Sequence, residues 1–211
     1  MRARITFSKS GSLRYVGHLD LQTLWERAAR RAGLPLAYSN GFHPQAKIYF
    51  AAALPLGFSS RAEVMDMRLQ TDMELAELPG RLKDALPAGI TILGVECIDE
   101  AEAALQTQVR SAEYEVSLIR PLDRSELQRG IDRLLHASSL PRERRGKAYD
   151  LRPLIEGLSL MQGGEAEIEP RIFMRLSARE SATGRPEEVL SELGIAANDA
   201  HIERSRLIFQ R

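Results

Sequence analysis

The stretch Leu75-Ala76-Glu77-Leu78-Pro79-Gly80-Arg81-Leu82-Lys83-Asp84-Ala85-Leu86-Pro87-Ala88-Gly89-Ile90-Thr91-Ile92-Leu93-Gly94-Val95-Glu96-Cys97 decides the fold. Leu75, Leu78, Leu82 and Leu86 recur at helical spacing and predict a helix over 74–86. Pro87 and Gly89 stop it, and Ile90–Cys97 reads as a strand. Upstream, Arg4–Ser8 is a strand, and a helix starts near Leu19 with the apolar stripe Leu21, Leu24, Trp25, Ala28 and Ala32. Gly33 before Pro35 ends that helix, and Leu36–Ser39 can form a second strand. Ser39–Pro44 is a loop, Lys47–Ala53 extends or begins a paired element, and Ala62–Leu69 alternates as a strand. The order is β, α, β, β, α, β.

Downstream of a polar connector or short helix at Glu100–Gln108, the order starts again. Tyr114–Ile119 is a strand, and Leu127, Ile131, Leu134 and Leu135 mark a helix. Ala148–Ile155 and Ile168–Leu176 are extended, joined by a loop holding Gly163-Gly164. A short helix opens at Pro186, and Ile202–Phe209 closes the chain as a strand. Two βαββαβ units give an α+β fold of two tandem ferredoxin-like units, each an antiparallel sheet with helices on one face. The expected boundaries are 1–99 for the first unit, 100–112 for a connector and 113–211 for the second.

Composition narrows function. The 211 residues carry 44% hydrophobic and 27% charged side chains, enough for a core under a charged surface. No apolar run approaches the roughly 20 residues that span a bilayer, so no membrane partner is expected. Cys97 is the single cysteine, which excludes an internal disulfide and points to a cytoplasmic setting. The net charge of zero hides an asymmetry. Residues 1–50 hold eight cations against two anions, a local +6, and residues 51–112 hold five against ten, a local −5. Either the basic segment faces an anionic partner or the two segments neutralise each other.

Two loops within the basic segment collect aromatic, glycine and hydrogen-bonding residues: Ser8–Asp20 and Tyr38–Lys47. Phe42 and Tyr38 are suited to stack on bases, with Lys9, Arg14 and Lys47 meeting phosphates. His18 and His43 are candidates for ligand contact or general acid–base work. The structural alternatives are that Phe42 plugs the core, Gly41 and Pro44 set a turn, and His18 caps the helix or meets Asp20. Asp66 is a buried-carboxylate candidate, although a solvated strand position is the reading favoured. In the second unit, Arg142–Lys147 is either a nucleic-acid loop or the approach to a solvated hairpin. Asp150 and Arg152, two apart, predict an ion pair on one strand face. Four scattered histidines and one cysteine give no metal-ligand spacing, and no phosphate-loop or dinucleotide motif implies a cofactor.

The stretches Lys9–Asp20, Ala28–Pro35, Tyr38–Pro44, Leu54–Gly57 and Asp150–Ile155 resemble the radical-SAM-linked proteins, a family whose members occur alone or appended to radical-SAM proteins. The resemblance covers most of the chain and implies the appended domain, because Cys97 alone cannot supply a three-cysteine cluster. Tandem ferredoxin-like units also bear an architectural analogy to CRISPR repeat-processing endoribonucleases, but the glycine-rich loop expected near Ile202–Phe209 is missing. The leading expectation is an accessory RNA-binding module without intrinsic catalysis, presenting RNA to a separate radical-SAM enzyme through Lys9, Arg14, His18, Phe42, His43 and Lys47. A protein-binding adaptor for such an enzyme, docking through the acidic region, is the alternative. A metal-independent RNA-processing enzyme using His18 or His43 is the third.

Overall fold

The computed structural model is mixed α+β and divides into two compact units, residues 1–109 and 110–209. It describes residues 1–120, 122–161 and 170–210. The expected Gly163-Gly164 loop and the start of a strand at Ile168 lie outside the described residues.

In the first unit, β1 (Arg2–Lys9) leads through a 3₁₀ turn (Gly11–Tyr15) into α1 (His18–Arg31). There follow β2 (Ile48–Phe50), β3 (Ser59–Arg68), α2 (Glu77–Lys83), β4 (Ile90–Ile98) and the single turn α3 (Leu105–Gln108). The strands lie in the order β4-β1-β3-β2, all antiparallel. The strand expected at Leu36–Ser39 is reduced to two isolated bridges, Leu36 to Leu69 and Tyr38 to Ala46. Each bridge has a different partner, so no ladder can build, and pairing along β3 falls to Ile48–Phe50 instead. α2 is shorter than the leucine stripe: Leu78 and Leu82 are buried, while Leu75 and Leu86 pack half-buried in the turns beside it.

Alternation in the strands fixes which side chains enter the core. Ala3, Ile5 and Phe7 of β1, Met65 and Met67 of β3, and Ile48 and Phe50 of β2 point at the helices. α1 meets them with Leu21, Trp25, Ala28 and Ala29. Phe7 is the hub, its ring edge-on to Trp25 at 4.9 Å and to Phe50 at 6.2 Å between centroids. Truncating Trp25 to Ala is expected to cost about 3–5 kcal/mol.

In the second unit, β5 (Val109–Leu118) starts five residues earlier than the sequence suggests. α4 (Arg124–His136) begins where the Asp123 carboxylate accepts the Glu126 N–H at 2.8 Å. The basic run is not a loop but a hairpin, β6 (Pro141–Arg144) and β7 (Lys147–Asp150), turned by Arg145 at φ 52° and Gly146 at φ 75°. After a 3₁₀ turn (Arg152–Leu154) come β8 (Ile155–Leu160), β9 (Arg171–Arg179), β10 (Ala182–Thr183), α5 (Pro186–Glu192) and β11 (Ala200–Phe209). The strand expected at Ala148–Ile155 is thus split between the end of the hairpin and the start of β8. β5 lies between β9 and β11, and β9 carries β8 and β10 on its other side.

Candidate nucleic-acid interface

The same alternation puts Arg2, Arg4, Asp66, Arg68 and Tyr49 on the sheet face away from the helices of the first unit, with Arg4 and Tyr49 both in register with Asp66. Asp66 is not solvated: it is 1% exposed. Its Oδ2 accepts from Arg2 Nη2 at 2.7 Å and Nε at 2.9 Å, and its Oδ1 from Arg4 Nε at 2.8 Å. The remaining Arg2 N–H groups donate to the carbonyls of Glu102 at 2.7 Å and Ala103 at 3.0 Å, which pins the chain after β4 over this face. Arg4 Nη1 also donates to Glu102 Oε1 at 2.9 Å. Hydrogen bonds from Gln108 and then Arg4 hold the Glu102 carboxyl below its ordinary pKa. Both Asp66 oxygens are committed to guanidinium groups, so this carboxylate is a staple and not a free base. Arg68 pairs with Glu100 at 2.6 Å, and the N-terminal ammonium with Asp72 at 3.4 Å. Two cations of the basic segment, Arg2 and Arg4, are thus paired with carboxylates of the acidic one.

Beside the staple is a pocket of about 260 Å³ lined by Lys47, Tyr49, Arg68, Leu105 and Gln106. Lys47 is half-buried, and its ammonium has no ion-pair partner among the described residues. Immediately before it the chain makes an excursion closed at its base by the Tyr38–Ala46 bridge, by Ser39 N–H to Gln45 O at 2.9 Å and by Gln45 N–H to Ser39 Oγ at 2.9 Å. Burial first, and then Glu26, raise the Tyr38 phenol pKa. At the tip, Gly41 has φ +133°, a conformation that excludes most side chains. Phe42, next to it, is fully exposed, and His43 is exposed too. Phe42 does not plug the core.

The structure distributes the remaining candidates unevenly. Lys9 is 1% exposed, with Nζ donating to Val16 O at 2.8 Å. It continues the inward positions Ile5 and Phe7, so it is withdrawn from the surface that would meet a phosphate. Arg14 stacks 4.7 Å over the ring of exposed Tyr15 and hydrogen-bonds its hydroxyl. His18 opens α1 with its ring edge-on to Phe50 at 5.2 Å. Phe42, His43 and Lys47 thus belong to one excursion and its base, while Arg14 and His18 belong to the approach to α1. Tyr49 and Arg68 were not foreseen; the two-residue spacing from Lys47 to Tyr49, opposite buried Ile48 and Phe50, was the available signal.

Two of the four cations in the basic run of the second unit are paired, and Arg145 and Lys147 are exposed at the hairpin tip. Arg142 pairs with Glu192 at 2.7 Å and Arg144 with Glu188 at 2.8 Å, both acids on α5. Arg144 also lies 4.7 Å over the Tyr149 ring. Asp150 does not make the ion pair with Arg152 expected on one strand face. Its Oδ1 accepts the backbone N–H of Leu140 at 2.7 Å and of Arg152 at 2.9 Å, and those two donors hold its pKa low. The Arg152 guanidinium turns instead to the carbonyls of Leu135 at 2.8 Å and Ile155 at 3.2 Å. Among the described residues no group of three or more His, Cys, Asp or Glu side chains is placed to hold a metal, and no helix is long and apolar enough to cross a membrane.

The class that emerges is a mixed α+β protein of two compact units, the first displaying an exposed aromatic loop beside a half-buried lysine. The chain belongs to the bacterial family described as "Uncharacterized protein conserved in bacteria (DUF2344)", which matches residues 2–186. Its fold is similar to that of a chain in the crystal structure of a Cbf5-Nop10-Gar1 complex, with a TM-score of 0.50 and 9% identity. That match covers 97% of this chain and 48% of the other, so this chain spans about half the length of its structural neighbour. At this identity the likeness concerns fold alone. No curated protein matches the sequence.

Proposed function

We propose that the first unit binds single-stranded RNA and that the chain is an accessory module, without catalysis of its own, that presents RNA to a separate radical-SAM enzyme in the cytoplasm. Both units are read as ferredoxin-like, a reading supported by the strand order β4-β1-β3-β2 of the first and the matching β11-β5-β9-β8 of the second. The observation that carries the RNA reading is Phe42, fully exposed at the tip of an excursion whose base holds Lys47. Leaving a phenylalanine in water forgoes about 1.5–3 kcal/mol of burial. Base stacking on an aromatic platform recovers energy of that size, about 1–3 kcal/mol per base. The test is fluorescence anisotropy of a labelled single-stranded RNA with the full chain and Phe42→Ala. The expected result is a roughly 5- to 150-fold weaker complex for the variant with an unchanged denaturation midpoint. Equal affinities for the two proteins would overturn the reading.

A specific observation also favours the adaptor reading. Gly57 N–H donates to Arg14 O at 2.8 Å, which brings the turn carrying exposed Leu56 against the turn carrying exposed Tyr15, and Leu19 is exposed at the start of α1. Co-purification of a radical-SAM enzyme that survives nuclease treatment and is lost in Leu19→Glu would favour this reading over RNA presentation.

A further inference from the structure

On the opposite side of the first unit's sheet, a groove of about 380 Å³ runs along α1. One wall is the helix face formed by Asp20, Thr23, Leu24, Arg27 and Arg31, spaced so that all five share a side, and the other is the turn after α2 at Leu86. Charge is ordered along it. The carboxylate is in the first turn of the helix and two arginines are in its last two turns, with half-buried Leu24 between them. The rise per residue separates Asp20 from Arg27 by about 10 Å and from Arg31 by about 16 Å. Neither arginine has an ion-pair partner among the described residues. The helix dipole favours cations near this end. It does not account for two guanidinium groups one turn apart over an apolar floor that ends at an acid.

We propose that this groove binds a small organic phosphate of the nucleoside monophosphate class. The phosphate lies between Arg27 and Arg31, whose planar forks suit its oxygens. The sugar and base lie on Leu24 and Leu86, and Asp20 accepts a hydrogen bond from an amino or hydroxyl group at the far end. The volume falls within the usual range for small-ligand pockets, about 300–1,000 Å³. This site is independent of the RNA reading, which places its contacts on the Phe42 excursion and Lys47.

The experiment is calorimetric titration of the full chain with AMP, with inorganic phosphate as a second probe. Saturable AMP binding is expected, weakened at least about tenfold in Arg27→Gln/Arg31→Gln. Asp20→Asn should weaken AMP while leaving inorganic phosphate unchanged, and Lys47→Gln should leave both unchanged. All these positions are exposed or half-buried, so the variants should unfold at the parent midpoint. Absence of saturable AMP binding, equal affinity for AMP and inorganic phosphate, or an unaffected Arg27→Gln/Arg31→Gln variant overturns the proposal. So does a double variant that weakens single-stranded RNA but not AMP, because the groove would then belong to the RNA surface.

Discussion

Each unit holds a carboxylate between two arginines, and the two clusters differ in their access to water. In the first, Asp66 and Arg2 are almost wholly buried, and the chain after β4 closes over them. In the second, Glu113 of β5 accepts from Arg175 Nη2 at 2.6 Å and from Arg206 Nε at 2.8 Å, but those arginine side chains are 43% and 60% exposed. The donors match and the solvent does not. A buried pair that loses one partner strands a charge in a low-dielectric site, whereas exposed guanidinium groups simply rehydrate. The first cluster is therefore a fastener for the fold, and the second, a buried carboxylate held by two exposed arginines, is one that pH can loosen.

The largest expected effect comes from breaking the fastener. Asp66→Ala should destabilise the protein by about 3–5 kcal/mol, read from the denaturant midpoint at constant m-value. A loss under about 1 kcal/mol would erase the distinction between the clusters. Glu113→Gln is expected to cost only about 1 kcal/mol in the same measurement. The smallest effect is pH-linked. Burial would raise the Glu113 pKa, but the hydrogen bonds and charges of Arg206 and Arg175 outweigh it and hold it below the ordinary 4.5. A carboxyl depressed on folding stabilises the protein above its unfolded pKa, and that contribution fades as pH falls through the lower folded value. The stability difference between parent and Glu113→Gln should therefore shrink below about pH 4.5. A gap that widens in acid would reverse the assigned direction.

Much of the order of elements was legible because helical stripes such as Leu21, Trp25 and Ala28 or Leu78 and Leu82 end at glycine or proline. What was not legible is pairing across distance. Asp66 looks like any charged residue on an alternating strand until β1 brings Arg2 and Arg4 beside it, 62 to 64 residues away in sequence. The neutralisation of Arg142 and Arg144 likewise depends on α5, more than 40 residues further on. Two features did have local signals. The period of Ala3, Ile5 and Phe7 places Lys9 inside, and Gly146 marks the tight turn of a hairpin within the basic run. In the candidate site, the loop from Tyr38 to Lys47 could be read from its composition. That Phe42 faces water could not, since an aromatic in a glycine-rich loop plugs a core as readily as it leaves one.

RNA binding by the first unit through Phe42 and Lys47 is the proposal on which the functional reading rests. Its most direct test is the salt dependence of single-stranded RNA binding to the parent chain, to Lys47→Gln, and to Arg145→Gln/Lys147→Gln at the exposed tip of the second unit's hairpin. Affinity should fall with salt for the parent, and the logarithmic slope should flatten by about 0.7 in Lys47→Gln while the hairpin variant keeps the parent slope. A parent that binds no RNA, or whose slope changes only in the hairpin variant, would contradict the account.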